Sequence, residues 1–375
     1  MERRAPRKRQ ITVQHVAREA GVSKATAARV LGGYGLTSPS VREKVLAAAQ
    51  ELGYQTNELA RSMTTGRSGT IGVIVGDVEN PYFGRAVRGI TDVARAAGFD
   101  VILANSGEDI EKERDAVRVF LSKRVDGLIV TPARMADAHH LRDVQQSDRP
   151  LVLMDRYVPS LDVDTVVTDD RGAAAAAARV LIEAGHRRIG YVSATESSDP
   201  LYEGPHQIHL STVLDRISGF LDTAAKAGIN GSERFIRLGV KRSGTARRII
   251  SDLLSLPSRP TALIASDNVV ALEVFKTVRA LGVSIPEDLS LIAFHDADWT
   301  SVTSPPITVV AQPSYELGSE SAKALIKRVR GQEDAPRRLV LTTTLIQRNS
   351  VSEPTPRKGN ARDLKVSARA QRACD

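Results

Sequence analysis

ITVQHVAREAGVSKATAARVL, residues 11–31, reads as two short helices broken at Gly21. Thr12 is placed to cap the first, and Val13, Val16, Ala17 and Ala20 follow at the i, i+3, i+4, i+7 spacing of one buried face. Gly21 supplies the backbone freedom of a sharp inter-helix turn, and Ser23 is placed to cap the second helix. At about 100° per residue, Ala27, Val30 and Leu31 share one arc, while Ala25, Ala28 and Arg29 share the opposite one beside Lys24. Such a helix packs with one side and presents a small, flat, cationic surface with the other. Arginine pairs with the N7 and O6 edge of guanine and an alanine methyl meets the thymine methyl, so the surface suits a DNA major groove. A third helix over Val41 to Leu52, with Val41, Val45, Ala48 and Leu52 on one face, closes a three-helix core. An ordinary surface hairpin of helices is the competing interpretation.

Charge placement argues against the ordinary hairpin. Residues 1–67, including a basic arm at 1–10, hold twelve Lys and Arg against five Glu, so they carry +7 of the chain's +8. A basic end on a near-neutral body is the footprint of a nucleic-acid head joined to a sensor or scaffold. Behind the head, strand-like runs (70–75, 101–104, 127–130, 151–154, 189–192, 262–265 and 289–294) alternate with amphipathic helical stretches. This βαβ alternation predicts parallel sheets covered on both faces. The fold class expected is α/β, a small all-α helix-turn-helix headpiece on a doubly wound body. About 280 residues are too many for one such sheet, so two lobes with a cleft between them are expected.

Several classes are excluded by what the chain lacks. No apolar run approaches the roughly 18 residues of a membrane span. The charged N-terminus has no signal-peptide core, so a cytoplasmic, nucleoid-associated protein is expected rather than a secreted solute receptor. The lone Cys374 forms no internal disulfide, and no dinucleotide or P-loop fingerprint points to a cofactor. His206/His209 and His139-His140 lack nearby Cys or carboxylate partners, so no metal site is expected. No nucleophile motif stands out, and an enzyme is not expected.

From Thr12 through Gly66 the chain resembles the headpiece of the LacI/GalR family of bacterial transcription regulators. The carrying residues are Val16-Ala17, Ala20-Gly21-Val22-Ser23, Ala25-Thr26, Arg29-Val30-Leu31, Val41-Arg42-Glu43-Lys44-Val45, Leu52-Gly53-Tyr54, Asn57 and Leu59-Ala60-Arg61-Ser62. The resemblance continues through the body to Ser350. It implies a helix-turn-helix domain over 11–56, a hinge over 57–66, a two-lobed periplasmic-binding-protein-like body over 67–350, and a tail at 351–375, which its composition marks as disordered. It also implies three chain crossings between the lobes, expected near Thr168, Asp298 and Gln332.

Ser23, Thr26, Tyr54, Asn57 and Ala60 join Lys24, Ala25, Ala28 and Arg29 as candidate DNA contacts on this resemblance. Met63 stands where the family wedges an apolar side chain into the minor groove at the centre of a palindrome, although a plain linker is the alternative for this segment. Asp77-Val78-Glu79-Asn80-Pro81-Tyr82-Phe83 follows the first body strand, at the carboxyl end where open α/β sheets bind ligands. The run also resembles the family's aspartate–asparagine–proline–aromatic element, which makes Asn80, Tyr82 and Phe83 candidate effector contacts. Arg216 matches the family's ligand-gripping arginine, or is an exposed helix-start residue. Asp169 and Asp267 are candidate cleft acids, or helix N-caps. Trp299 stacks on a sugar face, or fills core.

Two departures bear on the ligand. His295 stands where the family usually has an acid that holds sugar hydroxyls, and the chain over 194–211 is longer than the pattern, forming either a loop over the cleft or a surface elaboration. The function implied is a homodimeric operator-binding repressor, with a higher oligomer left open, controlled by a small sugar-like effector. A purine-type co-repressor sensor and a cytosolic solute-binding protein with no role on DNA remain as alternatives.

Overall fold

The computed structural model describes residues 11–32, 35–54, 67–240 and 244–355. The chain divides into two units, one comprising residues up to 70 with 124–126, the other the rest.

In the first unit, α1 (Val13–Glu19), α2 (Lys24–Gly32) and α3 (Pro39–Glu51) enclose Val16, Ala17, Ala27, Val30, Val45, Ala48 and Ala49. Val13, Ala20, Val41 and Leu52 pack at the edge of that cluster, as the periodicity requires. The Thr12 amide donates to Nδ1 of His15 at 3.1 Å, and Ser23 Oγ accepts from the Thr26 amide at 3.0 Å, which satisfies N–H groups that each helix start leaves unpaired. Gly21 turns the chain at φ +63°, a left-handed conformation that side chains with a Cβ seldom adopt. α3 begins at Pro39, two residues earlier than its apolar pattern, because proline fits a first helical position without losing a needed donor. Further along, Asp126 accepts from the amides of Ser68 (2.7 Å) and Gly69 (2.8 Å) and from Ser68 Oγ (3.1 Å), pinning the chain just before the first strand.

The second unit contains the two expected lobes. Its elements run β1 (Thr70–Val75), α4 (Pro81–Ala96), β2 (Asp100–Asn105), α5 (Ile110–Ser122), β3 (Gly127–Val130), α6 (His139–Gln146), β4 (Leu151–Met154) and β5 (Asp164–Thr168). Then come α7 (Asp170–Glu183), β6 (Ile189–Val192), α8 (Ser211–Lys226), β7 (Ile236–Arg237), α9 (Gly244–Leu254), β8 (Ala262–Ala265), α10 (Asn268–Leu281) and β9 (Ser290–Phe294). The chain ends with α11 (Asp298–Val302), β10 (Thr308–Ala311), α12 (Ser314–Val329), β11 (Arg338–Leu341) and β12 (Thr344–Ile346). One sheet has strand order β11-β5-β4-β3-β1-β2 and the other β12-β10-β9-β8-β6-β7. Pairing is parallel across the centre of both, for example Ile71 with Gly127 and Leu263 with Leu291, and β12 runs antiparallel against β10.

The central strands are buried along their whole length, which explains why they read as continuous apolar runs rather than alternating ones. Neighbouring helices approach each other closely where glycine stands. A Cβ on Gly318 of α12 would lie 1.9 Å from the Ala86 carbonyl of α4, and one on Gly219 of α8 would lie 2.2 Å from the Arg171 carbonyl of α7.

The chain crosses between lobes three times, but only the first crossing lies where expected, between Thr168 at the end of β5 and Asp170 at the start of α7. The second is at Gln312-Pro313 rather than near Asp298, because β10 still pairs with β9 and α12 then covers the first sheet. The third lies between Leu341 and Thr344 rather than near Gln332, because β11 pairs with β5 before β12 pairs with β10. Residues 351–355, expected to belong to the tail, pack against the second lobe instead. Val351 packs on the second lobe's core, the Ser352 carbonyl lies 2.9 Å from Nε2 of buried His186, and Thr355 Oγ1 donates to the Glu287 carbonyl. Among the described residues no helix is long and apolar enough to cross a membrane.

Candidate effector cleft and DNA-reading helix

The carboxyl ends of the central strands of both lobes face one cavity of about 720 Å³, within the range typical of small-molecule sites. Each lobe contributes one strained residue just past a strand. Asp155 follows β4 at φ +69° and His295 follows β9 at φ +72°, left-handed conformations that cost about 1–3 kcal/mol in residues other than glycine. Both side chains line the cavity.

From the first lobe, Asn80 caps α4 by accepting from the Tyr82 amide at 3.1 Å, which sets Tyr82 and Phe83 in the first helical turn, both buried. Tyr82 Oη donates to Asp155 Oδ1 at 2.5 Å. Arg156 forks onto Glu108 (Nη1–Oε2 2.5 Å, Nη2–Oε1 2.8 Å) and donates to the Pro132 carbonyl at 3.0 Å. From the second lobe, Arg216 on α8 meets Asp170 through Nε (2.7 Å) and the Ser266 carbonyl through Nη1 (2.6 Å), with its guanidinium 4.2 Å above the Phe294 ring. Asn268 Nδ2 donates to Asn80 Oδ1 at 2.8 Å and so joins the two lobes across the cleft.

Burial sets the protonation states. Desolvation pushes the Asp170 carboxyl up to about 6 despite the Arg216 charge beside it, and raises Asp155 against the pull of Arg156. The Tyr82 hydroxyl is raised well above its ordinary value by burial and then by Asp155. His295 is lowered to about 4, by burial first and the Arg85 charge next, so it is neutral at pH 7. Arg156 and Arg216 are also desolvated, yet Glu108 and Asp170 respectively hold them protonated.

Each cleft cation faces an acid of the protein itself: Lys112 with Asp109, Arg134 with Glu196, Arg156 with Glu108 and Arg216 with Asp170. Asp77, Asp155 and Asp267 add further carboxyls to the lining, so the cavity does not favour an anion. Two of its buried polar atoms, Thr195 Oγ1 and His295 Nδ1, have no hydrogen-bond partner among the described residues, and Arg156 Nε faces Asp155 Oδ2 at 3.5 Å, beyond a good hydrogen bond. Buried polar groups in that condition are costly unless a water or ligand satisfies them.

Six of the eight expected effector residues line this cavity: Asn80, Tyr82, Phe83, Arg216, Asp267 and His295. Asp267 is at the same time the N-cap of α10, accepting from the Val269 and Val270 amides at 2.9 Å. Asp169 does not line it. It is an exposed N-cap that accepts from the Gly172 amide, and the next residue, Asp170, turns inward to Arg216. Trp299 is also absent from the cleft. It packs on the second lobe's core against Phe275, with ring centroids 6.0 Å apart. Glu108, Asp155, Arg156, Asn268 and Gln312 were missed by the sequence reading, because their convergence depends on strand order and carries no local motif.

The segment over 194–211 is a loop at the cleft, with Ala194, Thr195, Glu196, His209 and Leu210 in the lining. Of the histidine pairs, His140 is buried against Glu113 at 2.6 Å, and among the described residues no three ligating groups converge on a metal position.

On α2, Lys24, Ala25 and Arg29 are exposed and Ala28 is half-buried, while Ala27 and Val30 face the core. Ser23 and Thr26 bond to each other at the helix start, and Tyr54 packs at the edge of the headpiece core. Asn57, Ala60 and Met63 lie outside the described residues.

Residues 12–57 match the family of bacterial regulatory proteins, lacI family, and residues 68–349 match periplasmic binding proteins and sugar binding domain of LacI family. The HTH-type transcriptional repressor CytR of Escherichia coli strain K12 is 30% identical over 90% of this chain and 96% of its own length. Among solved structures, the transcriptional regulator CelR–cellobiose complex is 27% identical, with a TM-score of 0.65 over 91% of this chain and 99% of that one. The lac repressor dimer bound to operator and the anti-inducer ONPF shares the fold at a TM-score of 0.76, 22% identical over 92% of this chain and 100% of that one.

Proposed function

The chain belongs to the lacI family of bacterial regulatory proteins, and from that premise we propose that it is a repressor that binds a palindromic operator as a homodimer and is released or recruited by a neutral, polyhydroxylated effector in the inter-lobe cleft. The observation that carries the DNA half is the division of α2: Ala27 and Val30 anchor it, leaving Lys24, Ala25 and Arg29 free to enter a major groove. Arg29 is the base-reading residue, with Lys24 close to the phosphates at the helix start. Ser23 and Thr26 shape that helix start, Tyr54 and Asn57 flank the groove, and Ala60 and Met63 belong to a hinge that wedges the minor groove at the dyad.

The effector half rests on the cleft's composition. Each cation is matched by an internal carboxylate, so a sugar acid or phosphate gains no unmatched positive charge there. Hydroxyl groups, which both donate and accept, suit Asp155, Asp267 and neutral His295, whose Nδ1 has no hydrogen-bond partner among the described residues. The dimer reading is supported on the first lobe, where β2 is a sheet edge with Ile102 and Leu103 exposed and Val119 of α5 exposed too.

Linkage supplies the mechanism. An effector that prefers one lobe arrangement changes the free energy of placing two heads on two half-sites. Selection of bound DNA from a random pool by the full-length protein tests the first half. An inverted repeat is the expected product, and recovery of no common sequence would overturn it.

A further inference from the structure

The loop over residues 194–210 of the second lobe is joined to the first lobe at the cleft mouth. The Met135 amide donates to the His209 carbonyl at 2.9 Å, and Arg134 meets Glu196 at 3.5 Å. The loop is also pinned to its own lobe, by a bridge between Leu201 and Arg237 and by Gln207, which donates to the Leu201 carbonyl and accepts from the Glu203 amide. Its wall is therefore held by the protein's own contacts on both lobes.

The lining grades from inside to outside. Tyr82, Phe83, Arg156, Arg216, Asn268 and His295 are buried, whereas Lys112, Glu196 and His209 are exposed and Arg134 and Leu210 are half-buried. Taking a packed heavy atom as about half of a water's ~30 Å³ share, a hexose of about twelve heavy atoms fills only about a quarter of the cavity. One sugar ring seated on the buried groups would therefore leave the outer volume between the loop and the first lobe unfilled.

We propose that residues 194–210 build an outer subsite, and that the effector is a neutral two-ring molecule, a sugar ring on the cleft floor carrying a second ring under this loop. The proposal rests on the reading of the cleft as the effector site. The outer surface suits a flat or chair-shaped neutral ring. Leu210 and Ile110 offer apolar contact, and the His209 imidazole and the Arg134 guanidinium offer planar faces. Partial desolvation and the neighbouring Arg134 hold the His209 pKa below its ordinary value. Thr195, 5% exposed with an unpartnered Oγ1, supplies a polar contact from the loop itself. A second sugar or a nucleobase would satisfy the same chemistry.

The test is calorimetry on the full-length protein with ribose, glucose, galactose, cellobiose, lactose, maltose, cytidine and adenosine. At least one two-ring probe should bind tenfold or more tightly than its own monosaccharide, with the disaccharides and the nucleosides distinguishing the two kinds of second ring. His209→Ala, which leaves the carbonyl contact to Met135 intact, should weaken that probe severalfold while leaving the monosaccharide within twofold. Monosaccharides binding as tightly as their two-ring counterparts, or equal losses for both in the variant, overturn the outer subsite alone. Binding by none of the probes overturns the neutral-sugar reading of the cleft and the subsite with it.

Discussion

Replacing Arg216 by Ala removes one member of a buried ion pair whose side chains are only 8% and 3% exposed. The Asp170 carboxyl then loses its strongest offsetting charge, together with the donors at 2.7 and 2.6 Å that share its Oδ1. Breaking such a pair from one side typically costs about 3–5 kcal/mol, since the partner stays buried and uncompensated. For a body of this size that lowers Tm by on the order of 10 °C.

The loss should depend on pH in a defined direction. Asp170 is already raised from 3.8 to about 6 in the folded protein, so it favours the folded state by about 3 kcal/mol at low pH relative to neutral pH. That contribution is complete below the unfolded value and is lost as pH rises through the folded one. Without Arg216 the folded value rises further and the window widens. Melting of the full-length protein and the variant at pH 5 and pH 8 should show a larger gap at pH 8. Asp170→Asn added to Arg216→Ala should recover part of the stability at pH 8. Equal destabilisation at both pH values, or a loss under 1 kcal/mol, would refute the assignment of Arg216 and Asp170 as a coupled buried pair.

Other outcomes follow from the same structure. Arg29→Ala should cost about 1–3 kcal/mol on the selected operator and relax preference at one base pair per half-site, read by anisotropy on a set of single-base variants; uniform weakening makes Arg29 a phosphate contact instead. Met63→Gly should weaken operator binding far more than binding to random DNA, and equal losses on both would sink the minor-groove wedge. His295 lies below its ordinary value at about 4, so its contribution to stability is complete above about pH 6.5 and is lost as pH falls to about 4, a change of about 3 kcal/mol. His295→Gln should flatten that part of the stability curve in denaturant titrations at pH 6.5, 5 and 4, and an unchanged slope would place the acid sensitivity elsewhere.

Much of this architecture was legible in local patterns. Val16, Ala17, Ala27 and Val30 announce a head core by helical spacing, and runs such as Gly127–Val130 and Leu151–Met154 are apolar throughout because helices cover both sheet faces. The crossings were harder to place. They depend on β10, β11 and β12, three or four residues each, and pairing partners decide which lobe owns strands so short.

The cleft divides the same way. Asn80, Tyr82 and Phe83 form a local cap-and-turn motif and could be named, whereas Asp155 and Glu108 meet their partners 73 and 48 residues away in sequence. Asp169 and Asp170 differ by a single step around a helix start, enough to turn one carboxylate to solvent and the next into the core. Trp299 was ambiguous because an amphipathic ring suits either a sugar face or a core edge, and the proximity of Phe275 resolved it.

The most direct test of the account is operator affinity measured with and without a saturating effector, set beside effector affinity measured with and without operator. An allosteric regulator should show a change of about 5–150-fold in the first, and by linkage the same factor in the second. Operator affinity that stays constant while the cleft fills would contradict control of the DNA-binding head by the ligand.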